Sequence, residues 1–328
     1  MRQSRHSGGG GGRRRSNYRG RPPQGGQRRS PPRTIARGPS AALQEFQSRV
    51  ALAPTRKILL AGPDAPLTLR VIDLLCPIGF GQRALILAPP KTGKTTFLKD
   101  ICNGVTAGAP EAKLYCLLVD ERPEEVTDFR RSVKAEVFAS SNDRSLEEHL
   151  AAAAACLEQT VAEALAGHDV VVVVDSLTRL SRAHNLNTRT GRTMSGGIDA
   201  SALEMPKRFF GAARQIEGSG SLAIIATALI DTGSLMDDVI AQEFKGTGNM
   251  EMVLDRRLAD RRIFPAIDIA KSGTRKEDQL LDSVTLKASH LLRRRIAELT
   301  TVEATKLLLS LFEKTPSNEA LVKELTVD

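Results

Sequence analysis

The chain has 328 residues and a formal net charge of +9, but residues 1–38 contain eleven Arg, no Lys and no acidic residue, so the rest carries −2. The basic composition therefore belongs to this N-terminal tail and gives no information about the surface of the folded part. Aromatic residues make up only 4% of the chain, without Trp, which argues against a platform of stacked rings for single-stranded nucleic acid in the folded part.

The tail, residues 1–38, consists mainly of Gly, Arg, Pro, Gln and Ser. Because this composition cannot bury enough apolar area to offset the entropy of ordering, we expect the tail to be disordered. The N-terminus has no apolar stretch typical of a secretory signal, and no apolar run in the chain reaches the roughly 18 residues of a membrane span. We therefore expect a cytoplasmic protein with no membrane partner. Cys76, Cys102, Cys116 and Cys156 lack C-x-x-C spacing, so we expect reduced core thiols.

Strand-like and helical segments alternate after the tail. Residues 41–52 fit a short helix, and a connector rich in Pro and Gly follows as far as residue 66. Strands are predicted at RALILA (83–88), KLYCLLVD (113–120), DVVVVVD (169–175) and SLAIIATALI (221–230). Helices are predicted at TTFLKDICNGV (95–105), PEEVTDFRRSVKAE (123–136) and the Ala-rich SLEEHLAAAAACLEQTVAEALAG (145–167).

These strands are continuous apolar runs without alternation, which indicates burial on both faces, as in a parallel sheet covered by helices. The alternating order therefore predicts an open α/β sheet with ligands at the carboxyl ends of its strands. From about residue 277 the pattern is helical only. We expect a tail (1–38), a helix and connector (39–66), an α/β core (67–276) and a C-terminal helical region (277–328).

A phosphate-binding loop follows the first buried strand, in the segment APPKTGKTT (88–96). Gly93, Lys94 and Thr95 fit the last positions of the P-loop pattern, although Ala88 stands where the pattern has Gly. Backbone N–H groups and a helix start converge on an anion in such a loop, with Lys94 placed for the β and γ phosphates and Thr95 for Mg²⁺. The alternative is a Pro- and Lys-containing loop without a ligand.

Two carboxylates follow buried strands at the same predicted edge of the sheet. Asp175 ends DVVVVVD, where either a magnesium ion or the cap of the next helix would account for a carboxylate. Glu121 ends the strand after the phosphate-loop helix, followed by Arg122, and a carboxylate there can orient the attacking water. The alternative is a capping cluster for the next helix, a role that fits Glu124 and Glu125.

Seven segments resemble the Rho family of transcription termination factors. They are PIGFGQRALILAPPKTGKT, VDERPEEVTDFRR, DSLTRLSRAHN, GGIDASALEMPKRFFGAAR, IIATALIDTGS, EFKGTGNMEM and FPAIDIAKSGTRKED. The resemblance covers residues 54–328, and DERPEEVT with KSGTRKE distinguishes it from the related rotary ATP synthase subunits and recombinases. It implies a RecA-type P-loop ATPase that forms a hexameric ring, binds single-stranded RNA in the central pore and moves along it. The implied cofactors are ATP and Mg²⁺, and RNA polymerase is a further candidate partner.

The resemblance also implies roles for individual residues. The implied catalytic residues are Lys94, Glu121, Asp175 and Arg275, and the implied metal ligands are Thr95 and Asp175. The implied nucleotide contacts are Gly79, Phe80, Gly81, Gln82, Arg83, Ala84, Lys91, Thr92, Gly93, Lys94, Thr95, Thr96, Arg122 and Phe264. Phe264 would stack on adenine, and Arg275 would reach the γ-phosphate held by a neighbouring subunit, with Arg262 as a second such candidate. Without the resemblance, Phe264 fits the core and Arg275 a solvated side chain.

Two loops resemble the RNA-binding loops of the family. The first loop, NTRTGRTMSGG (187–197), is rich in Gly and Thr and suits contacts with phosphates and 2′-hydroxyls. The second loop, DTGSLM (231–236), has Leu235 where the family typically has a Lys. Because Leu cannot bind phosphate, we expect a weaker grip on RNA or altered coupling of ATP turnover to movement. The implied RNA contacts are Arg189, Arg192, Thr193, Gly196, Gly197, Ser234 and Leu235.

The segment before the ATPase part also departs from the family pattern. We expect no OB-fold RNA-binding domain there, because the segment is short and lacks an aromatic strand pattern. An Arg- and Gly-rich tail binds single-stranded nucleic acid through phosphate neutralisation and Arg stacking. We therefore hypothesise that the tail is a flexible RNA tether, multiplied around a ring, with a solubilising tail as the alternative.

Two functions from different classes fit these features. One is an RNA-dependent ATPase of the translocase or helicase type that acts in transcription termination. The other is a regulatory RNA-binding protein that uses ATP as an assembly switch or modulates a full-length Rho protein. The intact catalytic set favours the first function and Leu235 favours the second, whereas the likeness of the two loops disfavours a rotary or protein-translocating ATPase.

Overall fold

A mainly parallel β-sheet runs through the computed structural model, which describes residues 39–188, 193, 195–199 and 201–326. Its strands are β1 Ala51–Leu52, β2 Arg83–Ala88, β3 Lys113–Glu121, β4 Glu136–Ser141, β5 Asp169–Asp175, β6 Arg214–Ile216, β7 Ser221–Leu229, β8 Met250–Val253 and β9 Gly273–Thr274. They follow the order β4-β3-β5-β7-β2-β8-β9, parallel throughout except for the last pair. Strands β6 and β1 add antiparallel pairs beside β7. The tail lies outside the described residues.

Helices alternate with these strands and then form the C-terminal part. They are α1 Ala41–Ser48, α2 Leu67–Leu75, α3 Lys94–Gly108, α4 Pro123–Ser132, α5 Leu146–Leu165, α6 Leu177–Asn187, α7 Glu204–Gly211, α8 Leu235–Lys245, α9 Arg256–Asp260, α10 Ser283–Ile296, α11 Thr301–Glu313 and α12 Asn318–Thr326. Short 3₁₀ helices lie at Ser195–Gly197, Ile269–Lys271 and Glu277–Gln279. Within the described ranges, none of the helices is both long and apolar enough to span a bilayer.

The central strands are buried on both faces, as their apolar runs predict. In β5, Val171 and Val173 belong to a core shared with α2, α3 and the C-terminal helices. Val170, Val172 and Val174 belong to a second core shared with α5, α6, α7 and α8. Because side chains alternate between the two faces of a strand, one run of valines supplies both cores. The predicted α/β architecture is confirmed, and the four Cys are buried free thiols.

The C-terminal helices pack against the α2 side of the sheet. Arg70 of α2 is buried and donates to the carbonyl oxygens of Phe312 and Thr315, at 2.6 and 2.7 Å, at the end of α11. The predicted helical character after residue 277 is confirmed. Gly38–Asp328 forms one compact unit, and the finer boundaries at residues 66 and 276 stay predictions.

Two predicted helices extend too far. The helix predicted for residues 41–52 ends at Ser48, and Ala51–Leu52 forms β1. The helix predicted for residues 123–136 ends at Ser132, and Glu136–Ser141 forms β4 at the edge of the sheet. An edge strand pairs with a single neighbour, and most side chains of β4 are only half-buried. Its sequence, EVFASS, therefore lacks the continuous apolar run that identified the central strands.

Candidate active site and adjoining loops

The phosphate loop connects β2 to α3 at the carboxyl edge of the sheet. Gly93 is the N-cap of α3 and adopts a left-handed conformation with φ 80°, which glycine tolerates without strain. Thr92 donates its hydroxyl to the carbonyl of Pro89 at 2.8 Å and so fixes the turn of the loop. Thr95 and Thr96 follow in the first turn of α3. The N–H groups of this first turn make the loop a site for an anion.

Lys94 joins two buried carboxylates that come from adjacent strands. Its ammonium group contacts the carboxylate of Asp175, at the end of β5, and lies 3.4 Å from Oε1 of Glu121, at the end of β3. Thr227 of β7 also donates to Asp175, at 2.9 Å. Glu121 is 4% exposed and Asp175 is 2% exposed, so both need a compensating cation or hydrogen bonds. The structure therefore brings together three of the four residues implied as catalytic.

The pKa of Glu121 is raised by this environment. Burial is the main cause, and the neighbouring carboxylate of Asp175 raises the pKa further, whereas Lys94 and Arg179 lower it. Two carboxylates that share a site away from water disfavour a second negative charge. Glu121 therefore takes up a proton more readily than an exposed glutamate does, which suits a general base.

Arg179 contributes to this site, and the sequence analysis missed it. It lies in the first turn of α6, just after the N-cap Ser176. Its guanidinium group lies 3.3 Å from Oε1 of Glu121 and 3.5 Å from Oδ2 of Asp120, and it also donates to the carbonyl of Asp120. In the sequence, Arg179 looks like a solvated helix residue. No local pattern in the sequence distinguishes Arg179 from such a residue.

Phe264 lies against the phosphate loop. A methyl group in place of the Gly93 hydrogen would sit 3.4 Å from the Phe264 ring. The ring is 46% exposed, although most large apolar side chains of this chain are buried. An exposed ring beside an anion site is suited to stacking on a base. Arg262, two residues earlier, and Lys91 and Arg122, both at this edge of the sheet, are also exposed.

The segment from Gly79 to Ala84 lies at the opposite end of β2. It leads into the amino end of this strand, whereas the phosphate loop leaves the carboxyl end. Six strand residues, about 20 Å, separate the two. Gln82 accepts a hydrogen bond from the Gly79 N–H at 3.1 Å, and Arg83 donates to the carbonyl of Thr247 at 2.9 Å. The structure does not bring this segment to the phosphate loop of the same chain, and its nucleotide contacts stay a prediction.

Arg275 lies at this opposite end as well. Thr274 of β9 pairs with Met250 of β8, and Met250 pairs with Ala84 of β2. Arg275 is exposed and borders an open cavity of about 400 Å³. Burial lowers the pKa of Arg83, and the positive charge of Arg275 lowers it further. The length of β2, about 20 Å, lies between Arg275 and the phosphate loop of the same chain, so this side chain does not reach that loop.

The first and second loops lie side by side. Leu235 is the first residue of α8 and is 63% exposed. Gly196 has φ 73°, and a methyl group there would approach the Leu235 carbonyl oxygen and the Met236 backbone to 3.0 Å. Only glycine fits this contact without strain. Thr193, Gly197 and Ser234 belong to the same two segments, whereas Arg189 and Arg192 lie outside the described residues.

Helix α6 connects both loops to the carboxylate site. Arg182 forms a bidentate pair with Asp237 of α8, with 2.8 Å between its Nε and Oδ1, and Asp237 also accepts from the Thr232 hydroxyl at 2.7 Å. Three residues further along α6, Asn185 donates to the Gly197 carbonyl at 3.2 Å. The helix that follows Asp175 directly therefore holds each loop in place.

Comparison with known proteins gives matches over most of the chain. The family model for the nucleotide-binding domain of the ATP synthase alpha/beta family matches residues 68–274. Transcription termination factor Rho from Streptomyces lividans is 54% identical over 275 residues, which are 84% of this chain and 39% of the relative. The protein of that name from Karelsulcia muelleri is 48% identical over 283 residues, 86% of this chain and 75% of the relative. This chain thus spans between 39% and 75% of the length of these two relatives.

Solved structures of similar fold come from secretion ATPases. A prototypical ATPase from the type III secretion system of pathogenic bacteria matches with TM-score 0.70 and 26% identity, over 84% of this chain and 86% of that chain. The assembled ATPase EscN from enteropathogenic E. coli matches with TM-score 0.68 and 24% identity, over 84% of this chain and 72% of that one. Together with the family match, these structures confirm the predicted RecA-type nucleotide-binding fold.

Proposed function

This chain belongs to the family of transcription termination factor Rho, and from this premise we propose that it is an RNA-dependent ATP hydrolase of the translocase or helicase type. It acts in transcription termination, in the cytoplasm, as a hexameric ring of identical chains around single-stranded RNA, with RNA polymerase as a further partner. Residues 67–276 form its ATPase core. The observation that carries this proposal is the convergence of Lys94, Glu121 and Asp175 at one phosphate loop.

The residues at the phosphate loop suit ATP with a magnesium ion. Lys94, at the start of α3, is placed for the β and γ phosphates. Thr95 and Asp175 offer a hydroxyl and a carboxylate, the oxygen ligands that Mg²⁺ prefers. When bound, Mg²⁺ neutralises charge on the phosphates. Phe264, exposed beside Gly93, provides a ring for the base.

Glu121 is the proposed general base. In hydrolysis, the oxygen of water forms a bond to the γ phosphorus while the bond to the leaving oxygen of ADP breaks, and a proton of the water needs an acceptor. The carboxylate of Glu121 takes this proton, and its raised pKa favours the transfer. Arg179, 3.3 Å away, orients the carboxylate.

Arg275 completes the site of a neighbouring chain. Its guanidinium group stabilises the charge that develops on the γ-phosphate in the transition state. The distance between Arg275 and its own phosphate loop supports this role in trans. Each hydrolysis site is then formed at the seam between two chains, and an isolated chain has no complete site.

The two loops and the tail are the proposed RNA contacts. The contacts in the loops are Arg189, Arg192, Thr193, Gly196, Gly197, Ser234 and Leu235. The eleven Arg of residues 1–38 act as a tether that raises the local concentration of RNA at the ring.

A regulatory RNA-binding protein that uses ATP as an assembly switch is the second candidate function. Leu235 favours it, because an exposed apolar side chain cannot hold a phosphate at the start of α8. Modulation of a full-length Rho protein is a variant of the same function. The intact cluster of Lys94, Glu121 and Asp175 counts against it.

Phosphate release by the purified full chain, with and without single-stranded RNA, separates the two functions. Turnover that RNA stimulates supports the motor. Turnover that does not respond to RNA, or ATP binding without turnover, supports the regulator. The Lys94→Ala chain provides the background rate, because it lacks the cation for the phosphates.

A further inference from the structure

We infer that Thr227 is a positioning residue for the metal: its hydroxyl holds one carboxylate oxygen of Asp175, Oδ1, so that the other oxygen, Oδ2, is left to bind Mg²⁺. Thr227 lies in β7, the strand beside β5, and is not among the residues implied as catalytic or metal-binding. The inference rests on the proposed function, in which Asp175 is a ligand of Mg²⁺, and adds the residue that orients this ligand.

A hydroxyl at position 227 needs a partner. Strand β7, SLAIIATAL, has Ser221 and Thr227 as its only polar residues, and Thr227 is 0% exposed. A valine would have nearly the same shape without the cost of burying a hydroxyl. Because β7 pairs in parallel with β5 as far as Ala226 and Val174, Thr227 stands beside the last residue of β5. Its hydroxyl therefore meets the carboxylate of Asp175, 2.9 Å away.

The contacts of Asp175 are divided unequally between its two oxygens. The ammonium group of Lys94 and the hydroxyl of Thr227 both donate to Oδ1. Within the described part of the chain, Oδ2 accepts no hydrogen bond. Two donors on Oδ1 fix the orientation of the carboxylate, and Oδ2 keeps its lone pairs for a cation that prefers oxygen ligands.

Thr227 can keep its contact when a nucleotide binds, whereas Lys94 is shared among several anions. The ammonium group of Lys94 also lies 3.4 Å from Oε1 of Glu121 and is placed for the β and γ phosphates. The other acceptor of the Thr227 hydroxyl is the carbonyl of Val174, at 3.3 Å. A hydrogen bond to a carboxylate is stronger than one to a neutral carbonyl. Thr227 therefore holds Asp175 whether or not Lys94 does.

Magnesium-dependent binding of an ATP analogue tests this role without turnover. The analogue has nitrogen between its β and γ phosphates, and its binding to the full chain is followed by fluorescence as Mg²⁺ is added and, separately, in EDTA. Thr227→Val removes the hydroxyl and keeps the shape, whereas Thr227→Ser keeps the hydroxyl. Thr160→Val is the matched control, since Thr160 is also 0% exposed but donates to the carbonyl of Cys156, at 2.8 Å.

The loss of the hydroxyl should appear as a higher requirement for metal. Thr227→Val should raise the Mg²⁺ concentration for half-maximal binding by about 10- to 100-fold, the usual cost of losing a group that orients a metal ligand. Its affinity for the analogue in EDTA should be unchanged. Thr227→Ser should stay close to the unchanged chain, and Thr160→Val should change neither quantity. Turnover of Thr227→Val should recover as Mg²⁺ is raised, because excess metal offsets weaker binding.

Three results would overturn the inference. An unchanged Mg²⁺ requirement in Thr227→Val would show that the hydroxyl serves only the carbonyl of Val174. An equal loss in Mg²⁺ and in EDTA, or the same shift in Thr227→Ser, would show that the side chain acts through packing. If Thr227→Val does not fold, Thr227→Ala, which also lacks the hydroxyl, carries the same prediction. Binding by the unchanged chain that did not respond to Mg²⁺ would instead contradict the proposed metal site, on which the inference rests.

Discussion

The position of Arg275 predicts that two inactive variants regain activity when they are mixed. Arg275 lies beside the start of β2, and the phosphate loop of the same chain leaves the far end of this strand. The separation of about 20 Å is several times the length of a side chain. An Arg275→Ala chain therefore keeps a sound phosphate loop, and a Glu121→Gln chain keeps a sound Arg275.

The expected size of the recovery follows because each variant keeps the half of the site that the other lacks. Arg275→Ala alone should lose about 10³- to 10⁵-fold in turnover, as other NTPases do without their arginine finger, whereas ATP binding should persist. Glu121→Gln alone should lose about 10²- to 10⁴-fold. In an equal mixture that assembles at random, about one seam in four joins the sound half of each variant. If the seams act independently, turnover should then approach a quarter of that of the unchanged chain.

The assay is phosphate release at constant total protein with saturating single-stranded RNA, after the variants are mixed without nucleotide. Lys94→Ala supplies matched controls, because its defect lies at the phosphate loop. Mixed with Arg275→Ala it should restore activity, whereas mixed with Glu121→Gln it should restore none. Failure of the Arg275→Ala and Glu121→Gln mixture to recover, or full turnover by Arg275→Ala alone, would refute the reasoning.

Four further predictions follow from the structure and the charge of the tail. Lys94→Met should abolish ATP binding in a fluorescence titration and lower the free energy of unfolding by about 3 kcal/mol, because two buried carboxylates lose their cation. Turnover should fall as pH is lowered through the raised pKa of Glu121, because a general base must be ionised. The guanidinium group of Arg179 lowers this pKa, so Arg179→Gln should move the fall in turnover to higher pH. Identical pH–rate profiles of the two proteins would contradict this. Arg70→Met should lower the free energy of unfolding by about 3 kcal/mol in a denaturant titration, because carbonyl groups at the end of α11 lose their buried donor. Removal of residues 1–38, which carry eleven Arg, should flatten the salt dependence of RNA binding measured by fluorescence anisotropy, and an unchanged dependence would count against the tether.

The sequence predicts the centre of the fold better than its edges. The runs that form β2, β3, β5 and β7 are recognisable because burial on both faces requires an apolar residue at nearly every position. Strand β4 has a neighbour on one side only and keeps polar residues, so the sequence did not identify it as a strand. Strand β9 has two residues, too few for any periodicity.

The acidic and phosphate-binding residues could be predicted for a related reason. Glu121 and Asp175 are the last residues of buried strands, and Lys94 follows the loop after another. The parallel arrangement brings such positions to one edge of the sheet. Arg179 could not be recognised in this way. It lies on a helix, and only the three-dimensional structure shows that its first turn faces Glu121.

Phe264 and Arg275 were identified by resemblance alone. Their sequence surroundings contain no strand end and no loop pattern that would distinguish a ring in the core from a ring beside a nucleotide, or a solvated Arg from a catalytic one. The structure adds the contact of Phe264 with Gly93 and the distance of Arg275 from its own phosphate loop. Both facts depend on long-range packing, which a local pattern does not encode.

The central claim is that ATP is hydrolysed at the seam between identical chains. The most direct test measures turnover per chain over a range of chain concentrations with saturating RNA, together with the molecular mass in solution. The account predicts that an isolated chain is almost inactive and that turnover per chain rises together with mass as the ring assembles. Constant, RNA-stimulated turnover by a chain that remains a monomer at every concentration would contradict it.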